Sequence, residues 1–122
     1  MNLSRSGKVT RVSNAVVAGT SDINSSGVDM KGFSSVTFYV LFGAITASAV
    51  TSIHAEQSSD DSSFADLAGT NITVADDDDN QVAILEIDNP GDRYVRCVVD
   101  RGSQSAVVEG IGAVQTKASD EP

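Results

Sequence analysis

The sequence predicts an all-β fold: a single-domain β-sandwich or jelly roll with an extended N-terminal arm. Three observations lead there. Apolar and polar residues alternate with a period of two through successive segments. The breakers between those segments combine Asp, Asn, Ser, Gly and Pro, the residues of tight turns. No stretch of ten or more residues carries a 3.6-residue period, and roughly seven to nine strand-like segments recur about every 8–12 residues.

Taken in order, GKVTRVS (7–13) and NAVVAGT (14–20) are weakly patterned strand candidates. Residues 1–12 read primarily as a basic arm, 13–116 as the sandwich domain and 117–122 as a polar tail. SSVTFYVLFG (34–43) puts Val36, Phe38, Val40 and Phe42 on one face and Thr37, Tyr39 and Leu41 on the other, a pattern expected of a strand buried on both sides. VTSIHAEQ (50–57) sets Ile53 and Ala55 against His54 and Glu56. SSFADLAGT (62–70) fits either a short helical turn or a short strand and turn. NITV (71–74) and QVAILEID (81–88) are strands around an acidic connection, and Pro90-Gly91 after Asn89 suits a type II turn. RYVRCVVD (93–100) sets Val95, Cys97 and Val99 against Tyr94, Arg96 and Val98. SAVVEGIGAVQ (105–115) is a last strand whose glycines suit a bulge or close backbone packing. The expected core therefore includes Val36, Phe38, Val40, Phe42, Ile53, Leu85, Val95, Cys97 and Val99.

Composition limits what this fold can do. The 122 residues fit one domain, and with aromatics at 5% and no Trp the core must be built from Val, Ile, Ala and Leu. A net charge of −9 disfavours nucleic acid, whose phosphates would be repelled. The charge is uneven: Arg5, Lys8 and Arg11 precede the first acid, Asp22, and the remaining five bases face seventeen acids. A basic arm on an acidic body can dock on a negative surface, and an ordinary solvated terminus has the same composition. No membrane partner is expected, because the longest apolar run, VTFYVLFGAITASAV, is too short and too polar to span a bilayer. MNLSRSGKV has no apolar signal core, so assembly in a reducing cytoplasm is expected.

Candidate chemistry is sparse. Asp76, Asp77, Asp78 and Asp79 are consecutive, so their side chains diverge, and the EF-hand spacing with its central Gly is missing. They are expected to form a hydrated turn; the competing reading is an adventitious calcium shared with SSDDSS (58–63). One His and one Cys cannot make a zinc site. His54 reads as a surface histidine and Cys97 as a small buried hydrophobe. There is no GxSxG elbow and no phosphate loop. The expectation is no catalytic, metal or cofactor-binding residue, no cofactor, and no enzyme activity. The residues best suited to an interface are Arg93, Tyr94 and Arg96, since Tyr and Arg anchor protein contacts. They join the arm residues Leu3, Arg5, Lys8, Val9 and Arg11 as candidate contacts. Arg93 is equally suited to pairing with Asp92 or Asp88, with Tyr94 capping the core edge.

Three segments in order, VDMKGFSSVTFYVLFGAIT (28–46), AEQSSDDSSFADLAGT (55–70) and DRYVRCVVD (92–100), resemble the head decoration, or cement, proteins of tailed bacteriophages. The resemblance spans roughly residues 28–100, carries no catalytic motif, and includes neither the DDDDN loop nor the basic arm. It implies a β-sandwich or jelly-roll virion protein, present in many copies on the capsid exterior and assembled in the host bacterial cytoplasm. The implied partners are the major capsid protein and the protein itself, as a homo-oligomeric dimer or trimer. The alternatives are another phage structural part, such as a tail or head–tail joining subunit, a carbohydrate-binding module, or a small hydrolase.

Overall fold

Period-two patterning produces an antiparallel sandwich of two sheets in the computed structural model, which describes residues 7–45, 51–75, 80–102 and 106–116. The strands are β1 (Gly7–Ser13), β2 (Val16–Gly19), β3 (Ile23–Asn24), β4 (Val28–Asp29), β5 (Ser35–Ile45), β6 (Thr51–Ser58), β7 (Ala65–Asp66), β8 (Ile72–Val74), β9 (Val82–Asp88), β10 (Tyr94–Asp100) and β11 (Ala106–Thr116). No helix occurs among the described residues. The five-stranded sheet runs β1-β11-β5-β9, with β2 also on β11. The six-stranded sheet runs β3-β10-β6-β7, with β4 on β10 and β8 on β6.

The alternation points one side of each sheet inward. Val36, Phe38, Val40 and Phe42 of β5 meet Ile53 of β6 and Val95, Cys97 and Val99 of β10, with Leu85 of β9 beside them, all buried. Every residue expected in the core is there. A few polar bonds tie the layers together: buried Gln115 on β11 donates from Nε2 to the Asp29 carbonyl on β4 at 2.8 Å. Arg101, 4% exposed, donates to the carbonyls of Ser21, Val17 and Ala106 at 2.7–2.9 Å. It seals one end of the sandwich and is no surface contact.

Several local expectations need correction. Residues 7–12 are not a free arm: β1 pairs antiparallel with β11 from Gly7↔Thr116 to Arg11↔Gly112, because alternation in KVTRV lets Val12 enter the core. Leu3 and Arg5, the tail 117–122 and Asp76–Asp79 lie outside the described residues. The outer side of β5 is not buried: Leu41 is 44% exposed. The left-handed residue of the β9–β10 turn is Asn89 (φ 49), not Gly91. Asn tolerates that region, and the turn closes instead through Asn89 N–H to the Ser34 carbonyl at 2.7 Å and the Gly91 and Asp92 N–H groups to Gln57 Oε1. Residues 62–70 form the short strand β7 and a turn at Gly69, whose φ of 81 favours glycine. β11 has the register shifts its glycines suit, between Ala106 and Val108 and between Val108 and Gly110.

Candidate functional site

The outer face of the six-stranded sheet collects the arginines that the sequence singles out. Register places Arg96 of β10 opposite Glu56 of β6, and Glu56 opposite Asp66 of β7. Arg96 holds Glu56 Oε1 through Nη2 at 2.6 Å and Nε at 2.8 Å, and its guanidinium lies 4.1 Å from the Phe64 ring centre. Burial raises the Glu56 pKa, but the Arg96 hydrogen bond and charge outweigh it, and the carboxyl ends below its ordinary value. His54 Nε2 lies 3.5 Å from Glu56 Oε2 and 3.4 Å from Asp66 Oδ1. His54 is thus half-buried and bridged by two acids rather than a free surface residue. These three offer ligand atoms within 4.8 Å of one another, the one such trio among the described residues. Within the trio, Glu56 is the member that also holds Arg96, through Oε1.

Arg93 finds neither Asp92 nor Asp88. Its partner is Asp29, 64 positions away, held by Nε at 2.9 Å and Nη2 at 2.8 Å in a two-pronged bond. That bond, with the Lys31 N–H, holds the Asp29 carboxyl well below the usual range. The Arg93 guanidinium also stacks 5.1 Å from the Tyr94 ring centre. In SSDDSS, Asp60 Oδ1 accepts from Ser58 Oγ and from the Ser62 and Ser63 N–H groups, so that carboxylate shapes its own turn. These bonds, first the one from Ser63, lower its pKa.

The other sheet is different. Among the described residues, five of the six exposed large hydrophobic side chains lie on it: Val9 (66%), Val17 (82%), Leu41 (44%), Val82 (51%) and Ile84 (54%). Register puts Leu41 beside Val82 and Tyr39 beside Ile84, while Gly110 and Gly112 of β11 flank Leu41 and Tyr39 on the other side. Glycines beside aliphatics leave a flat apolar floor. Ile72 of β8, the sixth, extends it around the flank of β9, where Phe42, Val74, Val82 and Ile84 line a shallow recess. Val9 is among the sequence candidates, but nothing in the sequence pattern separates Val17, Leu41, Ile72, Val82 and Ile84 from ordinary strand residues, so sequence reasoning missed those five.

The edges of this sheet are charged and opposite in sign. β1 carries Lys8 and Arg11 and no acid; β9 carries Glu86 and Asp88 and no base. None of these four is in an ion pair among the described residues. Of the sequence candidates, Lys8, Val9 and Arg11 are thus together on one edge, whereas Arg93, Tyr94 and Arg96 lie on the opposite sheet.

The chain is thus a β-sandwich with one outer face of mutually paired polar groups and one that leaves aliphatic side chains exposed. No family model matches the chain, and no curated protein matches it. Among solved structures its fold is similar to the PBSX exported protein XepA, at 16% identity and a TM-score of 0.60, over 100% of this chain and 40% of that one. The chain therefore spans less than half of that protein's length. It is also similar to the Bacillus endospore appendages that form disulfide-linked pili (11% identity, TM-score 0.56, 92% of this chain and 88% of that one). A third similar structure is the SPBc2 prophage-derived protein YomS (14%, 0.53, 91% and 95%). At these identities the likeness is one of fold.

Proposed function

We propose that this protein is a structural subunit of a tailed-phage virion, and that it decorates the outside of the head by binding the major capsid protein. The carrying observation is the flat apolar face of Leu41, Val82 and Ile84, which the sandwich core does not use. The segments at 28–100 that resemble decoration proteins support this reading, as does the fold shared with the prophage-derived YomS. The disulfide-linked appendages support it less. The single cysteine here, Cys97, is fully buried, and burial pushes its thiol up to about 12, so it is poorly placed to link chains.

In this reading the role is binding rather than catalysis. The apolar face supplies the lasting hold on the shell, and Lys8 and Arg11 on its margin act mainly on association rate. The test is co-sedimentation of purified protein with undecorated heads of its own phage. Wild type should pellet with heads in many copies, and the double variant Leu41→Ser, Val82→Thr should stay in the supernatant with a melting temperature close to that of wild type. Wild type that never pellets with heads would refute the decoration role. The oppositely charged edges of the five-stranded sheet favour a second reading, a tail or head–tail joining subunit, because such edges suit a ring.

A further inference from the structure

We propose that copies of this protein join head to tail through the edges of the five-stranded sheet, β9 of one copy adding to β1 of the next. This concerns how copies meet one another and does not rest on the capsid reading.

Direction comes first. In the order β1-β11-β5-β9 every neighbouring pair is antiparallel, so β1 and β9 run oppositely. A second copy placed beside the first in the same orientation therefore brings its β1 antiparallel to β9, and the ladder continues without reversal. Both edges are open to this addition. Among the described residues β9 pairs only with β5, and β1 only with β11. The end of β1 is closed where the Ser26 N–H donates to the Val12 carbonyl and where the register shifts between Arg11 and Ser13. That leaves Gly7–Arg11 as the addition segment.

Register comes next. Across one copy, Gly7 is level with Thr116, Ser35 and Asp88, and Arg11 is level with Gly112, Tyr39 and Ile84. With no shift between copies, Gly7–Arg11 stands opposite Asp88–Ile84. On the outer face Arg11 is then diagonal to Glu86, and Val9 diagonal to Ile84, about 7–8 Å apart and within reach of long side chains. The direct pairs on that face are Val9 with Glu86 and Arg11 with Ile84, so acid meets base and apolar meets apolar along the diagonals, while Lys8 stands opposite Ile87 on the inner side.

Charge decides the partner. Unpaired charges on edge strands ordinarily block edge-to-edge pairing. Here they block two of the three possible pairings, β1 with β1 and β9 with β9, where like charges meet. They favour the third, β9 with β1. Arg93, Arg96 and Arg101 are bound internally and Lys31 lies in the turn after β4, so Lys8 and Arg11 are the described bases on the strands of this sheet. A contact between two different patches closes into a ring or extends as a filament.

The test is sedimentation of the purified protein alone, at low and high salt, without heads. Wild type should form species larger than one chain, with half-assembly needing at least tenfold more protein in about 1 M salt, where the screening length is roughly 3 Å. Lys8→Glu with Arg11→Glu makes both edges acidic, and Glu86→Lys with Asp88→Lys makes both basic. Each variant alone should sediment as a single chain, and an equimolar mixture should recover assembly, because each edge then meets its opposite. Recovery by mixing also shows that both variants are folded. A wild type that remains a single chain at every concentration overturns the proposal. So does assembly of either variant alone at wild-type strength, and so does a mixture of folded variants that stays dissociated.

Discussion

On the outer face of the six-stranded sheet, Arg93, Arg96, Glu56 and His54 all meet partners from neighbouring strands or turns. On the outer face of the five-stranded sheet, Leu41, Val82 and Ile84 stay exposed, and Arg11, Glu86 and Asp88, like Lys8 on the inward side of the same β1 edge, are in no ion pair among the described residues. Residue type alone points to the face whose charges are already paired. Arginine and tyrosine are the usual anchors of an interface, but a guanidinium already held by a carboxylate has little left to give a partner. Plain aliphatic residues left in water by a folded sandwich are the better sign.

The contrast can be probed from the strongest effect downward. β5 carries both extremes, and its inward side sets the scale: Phe38→Ala should cost about 3–5 kcal/mol, read by denaturant unfolding, as for other emptied aromatic sites. A loss below about 1 kcal/mol would remove Phe38 from the core. On the polar face, Glu56→Gln leaves Arg96 and His54 short of an acid. The mostly buried Arg96–Glu56 bond should then register as about 1.5–3 kcal/mol in the same assay, the range for hydrogen bonds to charged groups. No change would mean that this face is as idle as the other.

Acid should act through the polar face too. Asp29, Glu56 and Asp60 have folded pKa values below their ordinary ones, so the folded state binds fewer protons there than the unfolded chain. Their stabilisation is complete above the unfolded carboxylate values, about 3.9 for Asp and 4.3 for Glu, and is lost as pH falls through the folded values. Melting temperature should hold from neutral pH down to about 5 and fall below about 4, and Asp29→Asn should shallow that fall. An equal acid limb in wild type and Asp29→Asn would remove the Arg93–Asp29 bond from the account. The smallest effect belongs to the apolar floor: Leu41→Ser and Val82→Thr should each change stability by no more than about 0.5 kcal/mol. A larger loss would show those residues to be part of the core after all.

The core was legible because it depends on alternation, a property of neighbouring residues. Val36, Phe38, Val40, Phe42, Ile53, Leu85, Val95, Cys97 and Val99 could each be assigned inward without knowing the other sheet. What escaped depended on distance or on brevity. β3 and β4 have two residues each, too few to show a period, yet β4 delivers Asp29 to Arg93. The pairing of β1 with β11 joins segments about a hundred positions apart, so a basic stretch that reads as an arm becomes a sheet edge. The exposure of Leu41 was hidden for a different reason: a strand covered by its own protein and a strand awaiting a partner have the same sequence pattern.

The pairing of β1 with β11 also sets a timetable. During synthesis β1 leaves the ribosome about a hundred residues ahead of β11, its one strand partner among the described residues. Until then Lys8 and Arg11 belong to no sheet, and the basic edge does not exist as a surface. A chain without residues 106–116 has no β1 edge, which the proposed joining of copies requires. Synthesis of β11 is thus the event that turns a basic stretch into a surface.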